Sequence, residues 1–185
     1  MVWAPGAAPA RARTALEARH GPVDGPTPRQ GTRPRAKRNT LHVASGLSVT
    51  EPDIDALFEA AAAVRDRAHA PYSGFHVGAA LLDEAGRIHA GCNVENAAYP
   101  VGTCAEAGAI AGMVAAGGRR IRAILVLADS ASPVTPCGAC RQRIREFAGP
   151  GTPILLGGPD GLRARYTLDH LLPASFGPEH LVHGA

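Results

Sequence analysis

Apolar and polar positions follow a regular pattern only beyond the first quarter of this 185-residue chain. Residues 54–64 carry apolar side chains at helical spacing behind Thr50-Glu51-Pro52-Asp53, a segment typical of a helix start. The pattern predicts a first helix that closes at Pro71. Residues 76–82 then form a nearly continuous apolar run, and residues 88–93 return after a turn. These two runs predict a pair of strands.

The rest of the chain alternates between helical and strand patterns. A second helix is predicted over residues 103–117, and the apolar run 121–127 has the composition of a strand covered on both faces. A third helix is predicted over residues 138–147. The last predicted elements are two short strands and a helical turn, at residues 153–156, 162–167 and 169–172. This order favours a three-layer α/β fold, with a mixed five-stranded sheet and helices on both of its faces.

Residues 1–46 differ from the rest in composition and charge. They are rich in proline, arginine and alanine without a sustained apolar period, so we expect a disordered basic extension ahead of a single domain over residues 47–185. The extension has eight basic and two acidic side chains, a net charge of +6 in a chain of +3, so the domain carries −3. An acidic domain argues against a nucleic-acid enzyme, whose affinity rests on basic charge. The extension is either the product of an upstream start codon or a basic tail that touches nucleic acid.

The sequence contains no membrane or secretory signal. It lacks a run of about 18 apolar residues, so we expect no transmembrane helix, and its amino terminus lacks the apolar segment of a signal peptide. Four cysteines are present, two of them in Cys-x-x-Cys spacing. In a chain without a signal peptide, this spacing favours reduced, metal-binding thiols over disulfides. We therefore expect a cytoplasmic protein.

Two short motifs carry the candidate chemistry, Thr103-Cys104-Ala105-Glu106 and Pro136-Cys137-Gly138-Ala139-Cys140. Cys137 and Cys140 stand three residues apart, so one helical turn can direct both sulfurs to the same side. Cys104 lies at the start of another predicted helix, where the helix dipole favours a thiolate. Three thiolates leave a fourth tetrahedral position open, which is typical of catalytic zinc. The motifs therefore predict one Zn²⁺ per chain, held by these three cysteines.

Glu106 follows the first of these cysteines by two residues, and we expect it to lie outside the ligand set. Zinc lowers the pKa of a bound water towards about 7, and a carboxylate beside that water can take its proton and pass it on. The alternative is a glutamate that only complements the helix dipole. Cys92, the remaining thiol, is predicted to be a core residue rather than a ligand.

The two motifs resemble the zinc deaminase signature, and with their flanking segments they resemble the cytidine deaminases, specifically the homotetrameric kind with three zinc cysteines. The similarity covers about residues 50–182. Residues 71–80, PYSGFHVGAA, are similar to the family's base-stacking segment, and residues 92–100, CNVENAAYP, to its ribose segment. Residues 171–179, LLPASFGPE, are similar to its carboxyl tail.

The resemblance implies roles for residues that bind the substrate. By that likeness Phe75 packs on the pyrimidine, and the backbone N–H of Ala105 holds O2 of the base. Asn93 and Glu95 would hydrogen-bond the sugar 3′-hydroxyl, a group that an amide and a carboxylate can recognise together.

The resemblance also implies an assembly and a reaction. Tyr99 and Phe176 would reach a neighbouring subunit's site within a homotetramer. The implied activity is the hydrolytic deamination of cytidine and deoxycytidine to uridine and deoxyuridine with release of ammonia, in pyrimidine salvage. A zinc-activated water would be the nucleophile and Glu106 the proton shuttle. No membrane or nucleic-acid partner is expected.

One position departs from the family pattern. Many members have an arginine directly after Cys-Ala-Glu, where it hydrogen-bonds the zinc thiolates, whereas this chain has Ala107. Three thiolates give Zn²⁺ a net charge of −1, so the missing cation should weaken the Lewis acid. Arg141, next to Cys140, is a candidate for partial substitution.

Two alternatives to cytidine deamination are open at this point. The first is a zinc deaminase of another aminopyrimidine or aminopurine nucleoside or nucleotide. A carboxylate near the sugar, here Glu95, tolerates a hydroxyl and repels phosphate, which favours nucleosides. The second is a non-catalytic zinc protein, which requires a fourth protein ligand and indifference to the loss of Glu106.

Overall fold

Five strands form one mixed sheet in the computed structural model, which describes residues 49–181. The strands are β1 (Val77–Asp83), β2 (Ile88–Cys92), β3 (Ile121–Ala128), β4 (Pro153–Gly158) and β5 (Gly161–Thr167). Their order across the sheet is β2-β1-β3-β4-β5. Within this sheet β3 and β4 run parallel, and the other neighbouring pairs are antiparallel. The predicted mixed five-stranded sheet is therefore confirmed.

Helices precede, connect and follow these strands. The α-helices are α1 (Glu51–Arg65), α2 (Ala105–Ala115), α3 (Gly138–Phe147) and α4 (Leu168–Leu171), with short 3-10 helices at Tyr99–Val101 and Pro178–His180. Thr50 caps α1 as predicted, in a reciprocal capping box with Asp53. None of the helices in the described part of the chain could span a bilayer. The predicted extension, residues 1–46, lies outside the described residues.

Side chains of the central strands alternate between two apolar layers, one on each face of the sheet. In β3, Ile124 and Val126 belong to the cluster that contains α2 and α3, whereas Leu125 and Leu127 belong to the cluster that contains α1. Alternate side chains of a strand point to opposite faces, so one apolar run serves both layers. The predicted three-layer α/β architecture, with helices on both faces, is confirmed.

Glycine at two strand positions allows helices to pack closely on the sheet. A Cβ at Gly78 would lie 2.0 Å from the carbonyl oxygen of Ala61 in α1. A Cβ at Gly91 would lie 2.4 Å from the backbone nitrogen of Ala109 in α2. Since both obstacles are backbone atoms, a side chain at either position would push the helix away. Gly91 thereby sets the depth of α2, the helix that begins beside Cys104.

A buried carboxylate fixes the opposite end of α2. Asp83 is fully buried and accepts hydrogen bonds from the backbone of Ala85 and Arg87 and from Nε of Arg87, at 2.8–2.9 Å, with Nε2 of His89 at 2.9 Å. Burial raises the pKa of Asp83, but the His89 and Arg87 hydrogen bonds outweigh it and lower this pKa to about 2. Arg87 also donates to the carbonyl of Ala116, 2.9 Å away, at the end of α2. The carboxylate therefore remains charged and holds this helix end against the hairpin.

The first helix ends earlier than the sequence predicts, at Arg65 instead of next to Pro71. The backbone of His69 pairs instead with the segment after β2, accepting from the N–H of Glu95 at 2.8 Å and donating to the carbonyl of Asn93 at 3.0 Å. These partners are distant in sequence, so local helix signals cannot reveal the competition. The result is a loop between α1 and β1 that lies against the residues following β2.

Candidate active site

Three cysteine sulfurs converge where α2 and α3 begin. Cys104 is the N-cap of α2, Cys137 is the N-cap of α3, and Cys140 lies in the first turn of α3. Their Sγ atoms lie within 4.8 Å of one another, and those of Cys104 and Cys137 are 3.8 Å apart. A tetrahedral zinc ion with Zn–S bonds of about 2.3 Å separates two sulfurs by about 3.8 Å. The donor set and its spacing therefore fit zinc.

The described part of the chain supplies three protein donors to this candidate metal site. Within residues 49–181, no further His, Cys, Asp or Glu donor joins the three sulfurs. Cys92, which is not a predicted ligand, lies half-buried at the end of β2. Three ligands with one open position are the arrangement of catalytic zinc. A structural zinc site would require a fourth side chain here.

Burial and mutual repulsion oppose simultaneous ionisation of the three thiols. Burial, followed by the negative charge of Glu106, raises the pKa of Cys140, and burial also raises the pKa of Cys104. Burial acts in the same direction on Cys137, but hydrogen bonds from the Cys140 backbone and from the other two thiols outweigh it and lower the pKa of Cys137. A divalent cation among the sulfurs offsets this repulsion, because coordination deprotonates thiols. The electrostatics of the site thus favour a bound cation.

The first turn of α2 adds a carboxylate and a hydrogen-bond donor beside the sulfurs. Glu106 is only 4% exposed, and within residues 49–181 its carboxylate accepts no hydrogen bond. Ala105 is the first residue of the helix and is buried. The N–H groups of a first helical turn have no intrahelical acceptor. One helix start therefore supplies a metal-binding thiol, an uncommitted carboxylate and a backbone donor.

Asn93 connects the segment after β2 to the loop before β1. Its side-chain oxygen accepts a hydrogen bond from the N–H of Val77 at 2.8 Å. Its amide nitrogen donates to the carbonyl of Phe75 at 2.9 Å. The structure thus places the predicted sugar-binding amide against the backbone of the predicted base-stacking residue, and that residue is 40% exposed.

Glu95 holds the same loop through its carboxylate. Oε2 accepts from the N–H groups of Tyr72 and Ser73 at 2.9 and 3.2 Å, and Oε1 accepts from the Ser73 hydroxyl. The Ser73 hydroxyl and the Tyr72 N–H lower the pKa of Glu95 below its usual value. Glu95 is therefore a carboxylate at neutral pH.

Backbone pairing connects this region to the metal-binding motif. Val94 and Thr103 exchange two N–H to carbonyl hydrogen bonds, both 2.8 Å long, and Thr103 directly precedes Cys104. The residues on either side of Val94 are Asn93 and Glu95. Hydrogen bonds and short stretches of backbone thus connect the predicted base, sugar and metal residues within one chain.

Tyr99 and Phe176 lie on the surface. Tyr99 is 76% exposed, and its ring meets that of Tyr72 edge to face with the centroids 6.0 Å apart. Phe176 is 57% exposed and stacks on the ring of His180, with the centroids 5.1 Å apart. Among the described residues, no hydrogen bond or ring contact connects either ring to the three cysteines. Their predicted roles depend on a second subunit.

Arg141 contacts oxygen acceptors instead of taking the place of a cation at Ala107. Its Nε donates to the carbonyl of Pro136 at 2.7 Å and its Nη2 to the hydroxyl of Thr135 at 2.9 Å. Its Nη1 donates to the carbonyl of Leu171, 2.8 Å away, at the end of α4. The guanidinium therefore fixes the loop that leads into Cys137.

Arg141→Met is expected to lower zinc affinity by about tenfold or more, because the loop before Cys137 loses two of its hydrogen bonds. The measurement is competition for zinc with a chromogenic chelator, and Arg143→Met, at an exposed position of the same helix, is the matched control. Equal zinc affinity in the two variants would show that the loop keeps its position without the guanidinium.

The site and fold match a known class of protein. A family model described as the cytidine and deoxycytidylate deaminase zinc-binding region matches residues 52–154. The matched region contains both cysteine motifs and Glu106. The fold and the three-sulfur site therefore define a zinc-dependent deaminase domain.

Relatives and solved structures narrow this class. The chain is 44% identical over 133 residues to a cytidine deaminase from Sporosarcina psychrophila, a match that covers 72% of this chain and 98% of that protein. A crystal structure of cytidine deaminase from Burkholderia pseudomallei is 43% identical with a TM-score of 0.62, over 66% of this chain and 98% of that chain. A crystal structure of cytidine deaminase from Mycobacterium tuberculosis is 37% identical with a TM-score of 0.57, over 66% of this chain and 96% of that chain. The chain belongs to the cytidine deaminase family, which confirms the resemblance seen in the sequence.

Proposed function

We propose that this protein catalyses the hydrolytic deamination of cytidine and deoxycytidine to uridine and deoxyuridine. The observation that carries the proposal is the group of three sulfurs with an open fourth position, next to the buried and uncommitted carboxylate of Glu106. Membership of the cytidine deaminase family supports the choice of substrate.

The proposed chemistry assigns proton transfer to Glu106. Zinc held by Cys104, Cys137 and Cys140 supplies a Lewis acid that makes water a nucleophile near neutral pH. Glu106 takes one proton from the attacking water and delivers it to N3 of cytosine, which makes C4 more electrophilic. After water oxygen has bonded to C4, Glu106 moves the second proton to the exocyclic amino group. The C4–N bond then breaks, ammonia leaves, and the uracil product retains the proton on N3.

The remaining residues bind and orient the nucleoside. We assign the N–H of Ala105 to O2 of the base and the ring of Phe75 to its face. Asn93 and Glu95 are assigned to the sugar 3′-hydroxyl. The charge of Glu95 disfavours a nearby phosphate, so nucleosides are preferred to nucleotides.

The proposal is tested by ammonia release from cytidine, deoxycytidine, adenosine and CMP with the zinc-loaded protein. We expect turnover of both cytosine nucleosides and a kcat/KM for cytidine at least about tenfold higher than for CMP, because like charges at a binding site repel. Faster turnover of CMP or adenosine would support the alternative of a different zinc deaminase. Ammonia release from none of the four would support a non-catalytic zinc protein.

We further propose that the protein is a cytoplasmic homotetramer with its sites at subunit interfaces. Several large apolar side chains are exposed, and burying them against other subunits would favour association. They are Tyr72, Phe75, Val94, Tyr99, Val101, Phe176 and Leu181. Association would allow Tyr99 and Phe176 to complete a neighbouring subunit's site. The four free cysteines support a reducing compartment. Sedimentation equilibrium of the zinc-loaded chain tests the assembly.

A further inference from the structure

The hydroxyl of Ser73 connects the predicted base site and the predicted sugar site. It donates a hydrogen bond to Oε1 of Glu95 and accepts one from the N–H of Phe75 at 3.0 Å. Gly74, between the two loop residues, has φ +65°, a left-handed conformation that glycine adopts readily. The turn therefore brings the Phe75 N–H back onto the Ser73 side chain.

The hydrogen bonds already made by Glu95 leave room for one more. An ionised carboxylate offers about four lone-pair positions. Two are taken on Oε2 by the N–H groups of Tyr72 and Ser73, and one is taken on Oε1 by the Ser73 hydroxyl. The remaining acceptor position is on Oε1, the oxygen that Ser73 also contacts.

The side chain of Asn93 likewise has few hydrogen-bonding positions left for a ligand. One of its two amide protons is donated to the carbonyl of Phe75, and its oxygen accepts from the N–H of Val77. One N–H is therefore left for a ligand. A sugar hydroxyl donates one hydrogen bond and accepts others, so it matches the free lone pair of Glu95 together with the free N–H of Asn93.

We propose that Ser73 is a positioning residue that sets the specificity of this site for the sugar hydroxyl. It acts through Glu95, because its hydroxyl occupies one lone pair of Oε1 and thereby directs the other towards the ligand. The same hydroxyl holds the backbone of Phe75, so the sugar-binding carboxylate and the base-stacking residue are positioned together. This inference rests on the proposed function, in which Glu95 binds the 3′-hydroxyl.

The test combines variants of Ser73 with substrates that have or lack the 3′-hydroxyl. Wild-type protein is expected to lose about tenfold or more in kcat/KM when cytidine is replaced by 3′-deoxycytidine, since a hydrogen bond to a charged group is lost. In Ser73→Ala this penalty should shrink at least about threefold, because Glu95 is no longer directed at the hydroxyl. The change should appear mainly in KM for cytidine, with a smaller effect on kcat.

A matched pair of variants separates the hydroxyl from the shape of the side chain. Ser73→Thr retains the hydroxyl and should retain the wild-type penalty. Ser73→Val, whose side chain is nearly isosteric with threonine, should behave like Ser73→Ala. Zinc content confirms that each variant is intact, and the Thr and Val pair gives the same comparison if the alanine variant does not fold.

Several results would overturn the inference. One is an equal penalty for the missing 3′-hydroxyl in wild type, Ser73→Ala and Ser73→Val. Another is a wild-type protein that turns over cytidine and 3′-deoxycytidine equally, which removes the role of Glu95 but leaves the deaminase function. A wild-type protein that deaminates neither nucleoside would overturn the proposed function and this inference together.

Discussion

Glu106→Gln is expected to lower kcat for cytidine by about 10²–10⁴-fold, the usual contribution of a positioned proton carrier. Glutamine has the same shape as glutamate but cannot accept and release a proton at neutral pH. Because Glu106 lies outside the group of three sulfurs, the variant should retain one zinc ion per chain. The measurement is ammonia release under saturating cytidine, together with zinc content determined on the same sample.

Glu59→Gln is the matched control, since Glu59 is an exposed carboxylate on α1. Its kcat should equal that of the wild type. If Glu106→Gln retained kcat within about threefold of wild type, proton transfer would have to occur through another group. The same result is expected if Glu106 only complements the dipole of α2.

The architecture could be predicted because the signals that specify it are local. A continuous apolar run at residues 121–127 indicates a strand buried on both faces, and the structure buries β3 between two helical layers. Cys104 and Cys137 stand at helix starts and Cys140 follows Cys137 within one turn, and the sequence spacing indicates both features. Spacing of this kind can be read without knowing the tertiary structure.

Other features could not be predicted because they depend on contacts between distant segments. α1 stops at Arg65 because the backbone of His69 pairs with Asn93 and Glu95, which belong to a later part of the chain. Ser73 likewise reaches Glu95 across 22 residues of sequence. In the sequence, Ser73 is marked only by its position within residues 71–80, the segment that resembles the base-stacking motif.

The hydrogen-bond partners of Arg141, beside the metal site, also could not be predicted from the sequence. The sequence suggests Arg141 as a replacement for the cation missing at Ala107, because it follows Cys140 directly. The structure shows its guanidinium bound to the carbonyls of Pro136 and Leu171, and the second of these acceptors is 30 residues away. Adjacency in sequence thus identified the region correctly but not the partner of the side chain.

Cys140→Ala is expected to abolish stoichiometric zinc binding and to lower kcat by more than about a thousandfold, because the Lewis acid is lost. Cys140 is fully buried, and its sulfur is one of three protein donors that residues 49–181 place in the group. Two thiols form an incomplete site for an ion that prefers four ligands. The removal also leaves Cys104 and Cys137 without the cation that would offset their repulsion.

Zinc-dependent stability gives a readout of this loss that is independent of turnover. A ligand at 100 times its dissociation constant stabilises the folded state by about 2.7 kcal/mol, so zinc should raise the urea midpoint of the wild-type protein but not that of Cys140→Ala. Cys92→Ala is the matched control, since Cys92 is a thiol outside the metal group, and it should respond to zinc like the wild type. If Cys140→Ala still bound one zinc ion and released ammonia from cytidine, another side chain would have to complete the ligand set. The open coordination position on which the proposed reaction depends would then lie elsewhere.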